Sequence, residues 1–346
     1  MKLSLAVVSL CAVAQLANMV DARCENIRVR QEIRSMSPES RQRFFNAIKL
    51  LNSGAHPNAH DKYAELHIKH ATLAHGDARF LPWHRQLLRE FEKDLQRIDP
   101  GVNVPYWDWA RDSADPGASP IFSSEMLGHN GGSGECVVDG QFANWSVYWP
   151  TQTPHCLTRK FDRGNSLKPW WGTNAINHIK TASSDYDAFR RGIEGPHGNV
   201  HFGIGGDFTP MWSPNDPIFW LHHSFVDKLW ADWQAESGNN LYSYGGKHSD
   251  GTSANLNEPL TPWGIKTGDA FNHLSDKYCY CYAPHSFTGD DISGKSWNGT
   301  MVEVIPEPLP EWWIKQQNMN VTDVRMFEAD MAAAVREGQN PKSPAH

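Results

Sequence analysis

The segment that most restricts the fold of this 346-residue chain is an apolar stretch with two histidines in its middle. It begins at Asp216-Pro217, a capping residue followed by a proline that suits the first turn of a helix. Apolar and aromatic side chains then surround the helix axis as far as Trp233, so we expect this helix to be buried on most sides. His222 and His223 lie inside it, and burying an imidazole without a partner is costly. At least one of them must therefore bind a metal or a hydrogen-bonding group.

A second pair of histidines precedes this helix. His197 and His201 are four residues apart, which on a helix places both imidazoles on one face, about 6 Å apart along the axis. Three imidazoles from two helices make one metal site with an open position. The periodicity does not decide between His222 and His223. The alternative for His222 is a hydrogen-bonded neighbour of the site.

His67, His75 and His84 form another candidate set. His67 shares the inward face of a predicted helix over 62–74, and His84 lies on the apolar stripe of the next helix, with a turn that lets His75 approach both. Two triads predict a dinuclear site, and ligation by nitrogen alone suits copper or zinc rather than magnesium or calcium. A zinc-binding module or hydrolase is one alternative, although no carboxylate stands at zinc-peptidase spacing. Ordinary histidines at helix ends and on the surface are the other.

Residues 1–22 combine a basic start, a short apolar run and small residues at a cleavable position, which predicts a secretory signal peptide. Its removal takes Cys11 with it, so we expect two disulfides and one free thiol among the five remaining cysteines, with no pairing predicted. A metal site at Cys279-Tyr-Cys281 is a less favoured alternative. The sequence therefore predicts a secreted, disulfide-bonded glycoprotein. Its glycosylation sequons begin at Asn144, Asn298 and Asn320.

The remaining patterns predict a mainly α fold, an antiparallel helix bundle enclosing the metal centre, with long loops and a few short strands. The loops are expected between Asp108 and Ser183, a stretch pinned by Cys136 and Cys156. No repeat of fixed period occurs, so residues 23–346 are predicted to form a single domain. The net charge of −7 argues against a nucleic-acid partner, and no other segment has the length of a membrane span. Further helices are predicted over 37–54 and 326–335.

These residues resemble the tyrosinase family of coupled dicopper proteins, which includes catechol oxidases and molluscan haemocyanins. For the first copper the resemblance rests on His75-Gly-Asp-Ala-Arg-Phe-Leu-Pro-Trp-His84-Arg85. For the second it rests on His197-Gly-Asn-Val-His201 and on Asn215-Asp-Pro-Ile-Phe-Trp-Leu-His222-His223-Ser-Phe-Val-Asp227-Lys-Leu-Trp230. The stretches Pro105-Tyr-Trp-Asp108-Trp and Tyr278-x-Tyr280-x-Tyr282 are similar to further family landmarks. The resemblance runs from about 28 to 282, and 283–346 form a short C-terminal extension.

The resemblance implies a secreted oxidase that holds two copper ions, uses O2 as co-substrate and converts small o-diphenols to o-quinones, with monophenol hydroxylation left open. An oxygen carrier of the haemocyanin type, which binds O2 without turnover, is the alternative. The family pattern makes His223 the ligand of the adjacent pair. It makes His67 the first ligand of the first copper, with His70, His60 and His56 as alternatives. The implied ligand set is His67, His75, His84, His197, His201 and His223. The oligomeric state is not predicted.

Some positions depart from the family pattern. Gly198 follows the first ligand of the second copper, where efficient monophenol hydroxylases often have Asn or Asp; Asn199 and Glu194 are nearby. This departure favours diphenol oxidation over monophenol hydroxylation. Leu73 stands where many members have a cysteine bonded to the second ligand, so no thioether is expected at His75.

Other neighbours are candidates for supporting the site. Asp227 and Asp216 are candidates for orienting the imidazoles, with a helix cap or a surface position as the alternative. Phe80 is a candidate wall residue, with core packing as the alternative. The extension 283–346 is too short for a large covering domain.

Overall fold

The computed structural model describes residue 24 and residues 26–131, 136–283 and 303–339. The predicted signal peptide and the sequon at Asn298 lie outside these residues. The helices of the described residues are α1 (Pro38–Leu51), α2 (Asp61–Lys69), α3 (Ala71–Ala74), α4 (Phe80–Ile98), α5 (Thr173–Ala182), α6 (Tyr186–Ile204), α7 (Ile218–Glu236), α8 (Glu311–Gln316) and α9 (Val321–Gln339). The strands are β1 (Arg28–Arg30), β2 (Ser146–Val147), β3 (His155–Cys156), β4 (Pro259–Leu260), β5 (Ile265–Lys266) and β6 (Tyr280–Tyr282). The predicted mainly α fold with a few short strands is confirmed.

Helix starts follow the capping signals of the sequence. The side chain of Ser37 accepts a hydrogen bond from the N–H of Ser40 at the start of α1, and Asp185 does the same for Ala188 at the start of α6. At α7 the carboxylate of Asp216 accepts the N–H of Ile218 at 3.0 Å. Helix α6 extends to Ile204, so His197 and His201 lie on one helix, as their spacing predicts.

The predicted helix over 62–74 is wrong as a single element. The chain forms α2 and α3 instead, with His70 between them outside helical geometry (φ −114°, ψ 18°). His75 then follows α3 in extended conformation (φ −138°, ψ 145°). The break turns the chain, so that the rings of His67 and His75 come to 4.8 Å centroid to centroid.

The strands form three two-stranded pairings among the described residues. Strand β1 pairs in parallel with β6, which joins the start of the described chain to the region after α7. The disulfide Cys24–Cys279 lies beside this pairing, and Cys136–Cys156 closes the long loop region as predicted, each with a Cα–Cα distance of 5.6 Å. In the full chain Cys281 is disulfide-bonded as well. The expectation of one free thiol applies to a chain that has lost Cys11 with residues 1–22. The disulfides also overturn the alternative of a metal site at Cys279 and Cys281.

The main hydrophobic cluster lies between the long helices. Helix α7 packs on α4, and α4 packs on α1, so the helices that carry histidines lie at the centre of the core. The C-terminal helix α9 packs on α5 and α6 and adds a second, smaller cluster. That cluster consists of Leu309, Trp313, Ile314, Met319 and Val324. No helix in the described part of the chain is long and apolar enough to cross a membrane.

Candidate metal centre

Five helices bring seven histidines together. Helix α2 carries His67, the end of α3 leads into His75, and α4 carries His84. Helix α6 carries His197 and His201, while α7 carries the adjacent pair His222 and His223. Within each set the nearest donor atoms lie within 4.8 Å of one another, and all seven side chains are buried.

The first cluster consists of His67, His75 and His84. Their ring centroids are 4.8–5.5 Å apart, and Nε2 of His67 lies 3.3 Å from Nε2 of His84. Two nitrogens that each lie about 2.0–2.1 Å from one tetrahedral ion are about 3.3 Å apart. The spacing of these donors is therefore that of two ligands of a single metal ion.

Hydrogen bonds to the backbone fix the tautomers of this cluster. Nδ1 of His67 lies 2.6 Å from the carbonyl of Met211, and Nδ1 of His84 lies 2.8 Å from the carbonyl of Phe80. Because a carbonyl only accepts, each Nδ1 carries the proton and each Nε2 presents a lone pair. Two lone pairs that face each other at 3.3 Å repel unless a cation lies between them. The residues present thus fit a bound metal ion.

The second cluster contains one more histidine than a triad needs. Nδ1 of His201 lies 2.6 Å from the carbonyl of Phe208, so its Nε2 presents a lone pair 3.3 Å from Nε2 of His223. Nε2 of His197 is buried and has no hydrogen-bond partner. The ring of His222 lies parallel to that of His197 at 5.0 Å, and neither of its nitrogens has a partner. Proximity alone therefore leaves four candidate ligands here.

The two clusters meet face to face. The ring of His84 stacks on the ring of His223 with centroids 4.2 Å apart and planes within 9°. His75 and His197 face each other at 6.2 Å, and the ring of Phe80 lies 5.0 Å from His197. Phe80 thus contacts histidines of both clusters. The arrangement is one dinuclear centre rather than two separate sites.

Burial keeps the imidazoles neutral. It lowers the pKa of His67 to about 4 and the pKa of His201 to about 3, and it lowers the pKa of His84 well below its ordinary value. A neutral imidazole is the form that binds a metal ion. The centre therefore needs no deprotonation before it takes up metal near neutral pH.

The two aspartates proposed to orient the imidazoles do not contact them. Both oxygens of Asp216 accept from Arg159, and one also caps α7. Asp227 accepts from arginine and tyrosine side chains. The orienting role fails because Arg159 and Arg85 occupy these carboxylates, while backbone carbonyls hold Nδ1 of His67, His84 and His201. Nδ1 of His223 has no hydrogen-bond partner among the described residues.

Asp227 instead joins the two helices that carry His84 and His223. It accepts from Nε of Arg85 at 2.5 Å and from the hydroxyl of Tyr282 at 2.6 Å, with Arg30 and Tyr280 as further donors. Although burial alone raises it, the pKa of Asp227 is lowered by the charges of Arg85 and Arg30. The carboxylate is therefore ionised inside the core, where it holds α4 to α7 next to the metal centre.

Three other predicted neighbours lie beside the centre on α6. The carboxylate of Glu194 accepts the backbone N–H of Gly76 at 2.6 Å and also accepts from Arg190. Asn199 is buried, and its Oδ1 has no partner in the protein. Gly198 faces the C-terminal segment. The alternatives His56, His60 and His70 lie outside both clusters; His56 pairs with Asp61, for example.

Sequence reasoning missed the groups that orient the rings. The backbone carbonyls that bind Nδ1 carry no signal in the sequence, because any residue supplies one. It also missed Arg30, which comes from β1 and donates to Glu92 as well as to Asp227. Pairing of β1 with β6 places it there, and that pairing joins residues far apart in the chain.

The comparisons with known proteins agree with this centre. Residues 57–236 match the family model described as the common central domain of tyrosinase. The chain is 34% identical over 275 residues to a tyrosinase of Streptomyces antibioticus, covering 73% of this chain and 98% of that protein. It is 35% identical over 287 residues to the tyrosinase ustQ of Aspergillus flavus, covering 75% and 80%.

Solved structures share the fold. A polyphenol oxidase from Thermothelomyces thermophila superposes with a TM-score of 0.65 at 23% identity, covering 80% of this chain and 98% of that one. A functional unit of octopus hemocyanin superposes with a TM-score of 0.55 at 20% identity, covering 77% and 71%.

The fold and the imidazole donors define a dicopper protein. The chain belongs to the tyrosinase family. It is a copper-dependent phenol oxidase with two copper ions as cofactors and O2 as co-substrate.

Proposed function

We propose that this protein is a secreted enzyme that oxidises small o-diphenols to o-quinones. In this proposal residues 23–346 form one copper domain. The first copper is held by His67, His75 and His84, and the second by His197, His201 and His223. The observation that carries the proposal is the face-to-face contact of His84 and His223, which brings the two sets of nitrogen donors to a common space.

Copper bound at these donors supplies the two-electron exchange with O2, and neutral imidazoles suit both of its oxidation states. The oxidation of one o-diphenol releases two electrons and two protons. Reduction of one O2 to two waters takes four of each, so two diphenols are consumed for each O2. The enzyme needs no reductant other than the diphenol itself.

The residues of the chain hold the histidine rings in a fixed orientation and exclude water from the centre. Nδ1–H bonds to backbone carbonyls hold the rings of His67, His84 and His201 with Nε2 free. Phe80 and Trp83 are buried, and both contact the ring of His84 and shield it from solvent. A dry, preorganised donor set keeps its geometry during turnover, because little reorganisation is needed at each step.

Gly198 supports diphenols rather than monophenols as the preferred substrates. A monophenol must lose a proton and gain an oxygen atom before it becomes a quinone, and a polar side chain beside the centre can assist the loss of the proton. Glycine supplies no such group at the position that follows His197. Glu194 is the nearest carboxylate on α6, and its oxygens already accept from Gly76 and Arg190.

The decisive experiment compares a monophenol with the matching diphenol on the copper-loaded protein, with O2 uptake and quinone absorbance recorded together. We expect rapid diphenol oxidation with about one O2 consumed for two quinones, and much slower hydroxylation of the monophenol. Comparable rates on the two would overturn the diphenol preference. Reversible O2 binding without quinone would favour the oxygen carrier, which the similarity to hemocyanin keeps as the second candidate.

Secretion is supported by the disulfides, which form and persist in oxidising compartments. Expression of the full chain in a eukaryotic secretory host, followed by N-terminal sequencing of protein from the medium, tests it. A mature chain that begins at Arg23 is expected. Retention of the whole chain inside the cells would contradict the proposal.

A further inference from the structure

The C-terminal extension contacts the residue that follows a histidine in each cluster. Trp313 packs on Gly198, which follows His197. The backbone carbonyl of Asn318 lies against Gly76, which follows His75, so close that a Cβ there would be 1.9 Å from the oxygen. The extension is short, yet it reaches both halves of the centre.

The contact at Gly198 leaves no room for a side chain. An ideal Cβ at this position would lie 2.6 Å from Cζ3 and 2.7 Å from Cη2 of Trp313, and 3.4 Å from Cδ1 of Leu309. Atoms that close overlap, and an indole in a packed core has little freedom to retreat. Trp313 is 1% exposed, so its ring is held on every side. The indole of Trp313 therefore fits against α6 only because residue 198 is glycine.

Two more glycines on α6 face the extension, but with less overlap. A Cβ at Gly192 would meet Ile179 at 2.9 Å and Phe327 at 3.3 Å, whereas a Cβ at Gly195 would meet only Val324, at 3.9 Å. The side-chain contact is thus tightest beside His197, at the metal centre.

Hydrogen bonds fix the extension in this place. The backbone of Leu309 is held from both sides, since its N–H donates to Glu328 at 3.0 Å and its carbonyl accepts from Arg325 at 2.6 Å. Arg325 and Glu328 also pair with each other on α9. Helix α8 is thereby positioned from α9, which itself packs on α6.

We infer that Trp313 and Gly198 form a size-matched pair that sets the free space beside His197, and that Trp313 is a specificity-determining residue for the phenol. The inference rests on the proposed oxidation of diphenols. It assigns a wall of the centre to a residue outside 57–236, the part of the chain that matches the common central domain. Removal of the indole opens a void where the ring of a bulky diphenol can lie.

The first test measures the contact itself, through thermal unfolding of the copper-loaded full chain. Gly198→Ala should lower Tm by about 2–4 °C, because its methyl group overlaps the indole. In a Trp313→Ala background the same change should be neutral or raise Tm, since alanine is the better helix former. Gly195→Ala is the matched control and should not lower Tm. Equal effects of Gly198→Ala in both backgrounds would overturn the size-matched pair.

The second test measures specificity as the ratio of kcat/KM for 4-tert-butylcatechol to that for catechol. Trp313→Ala should raise this ratio about tenfold, as expected when a hydrophobic pocket gains the volume of a few methylenes. Trp312→Ala is the control, because this neighbouring tryptophan is 60% exposed and lies on the same helix. Its ratio should equal that of the unaltered protein.

The outcomes separate this inference from the proposed function. A ratio that is the same in Trp313→Ala and Trp312→Ala, with normal catechol turnover, overturns the specificity role alone. Copper-loaded unaltered protein that oxidises neither catechol overturns the proposed function, and the specificity role falls with it. The thermal-unfolding series then still decides whether the size-matched pair exists.

Discussion

The carboxylate of Glu194 accepts the backbone N–H of Gly76 at 2.6 Å, and this bond ties helix α6 to the turn that follows His75. The backbone carbonyl of the same glutamate lies 3.3 Å from Nδ1 of His197. Glu194 thus contacts Gly76, which follows His75 of the first cluster, and His197 of the second cluster. Its protonation state and its position bear on both halves of the dicopper centre.

Glu194 should give the protein a pH-dependent stability. Burial raises its pKa to about 7, against the charge of Arg190 and the N–H of Gly76, which lower it. An acid with a raised folded-state pKa binds its proton more tightly when folded, so the stabilisation is full below the ordinary value of 4.5 and is lost as pH rises through about 7. The pH window is therefore about 4.5 to 7, with a loss of up to about 3 kcal/mol across it.

The measurement compares unaltered protein with Glu194→Gln by chemical unfolding between pH 5 and 8. Glutamine keeps the shape and the acceptor for Gly76 but does not ionise, so the unaltered protein should lose stability relative to the variant as pH rises. Glu32, whose pKa burial also raises to about 7, is common to both proteins and cancels in the difference. A difference that does not change with pH would show that Glu194 stays ionised throughout.

Each histidine ligand should be required for copper binding but not for folding of the chain. His84→Ala and His201→Ala are each expected to lose one copper ion and nearly all oxidase activity, because two imidazoles hold an ion far more weakly than three. Copper per chain by elemental analysis and far-UV circular dichroism provide the measurements. His60→Ala is the control, since His60 is buried beside Trp145 but lies outside both clusters. Full copper occupancy in a ligand variant would contradict the assignment.

The adjacent histidines should differ in their effect. His223→Ala should lose one copper, because its Nε2 lies 3.3 Å from that of His201 and its ring meets His84 of the other cluster. His222→Ala should keep both ions. The ring of His222 stacks on His197 of its own cluster and makes no ring contact with the first cluster. Copper analysis of the two variants side by side decides between them. The reverse pattern would make His222 the ligand.

Asp227 should contribute more to stability than any surface carboxylate on the same helix. Asp227→Asn weakens the pairing of two buried arginines, Arg30 and Arg85, and should cost about 3–5 kcal/mol of unfolding free energy. Asp232→Asn, which removes a half-exposed pair with Lys228, should cost under about 1 kcal/mol. Denaturant unfolding of both variants measures the contrast. Similar losses in the two would mean that the buried network adds little.

Much of the metal centre was predictable, because local sequence patterns specify the helices that carry its histidines. The spacing of His197 and His201 and the apolar helix around His222 and His223 specify helices whose buried faces carry imidazoles. Capping residues located the starts of α1 and α7. The break at His70 was not predictable, since the apolar periodicity continues across it and only the packing of the turn decides where the helix ends.

The groups that support the histidines were predicted less well. Asp227 and Asp216 were expected to touch imidazoles because carboxylates often do. They bind Arg85 and Arg159 instead, because those arginines would otherwise be buried as unpaired charges. Which acceptor takes a given donor depends on distances across helices, and no local pattern records those distances.

The sequence by itself determined the class of this protein: a mostly helical chain with buried imidazoles in two sets, suited to copper. The tertiary structure alone decided that the sets face each other through His84 and His223, that carbonyls fix the tautomers, and that Trp313 lies on Gly198. The physical reason is one of range. Helical periodicity and capping act over a few residues. The contacts of His84 with His223 and of Trp313 with Gly198 join residues more than a hundred positions apart, and only the packed core sets their geometry.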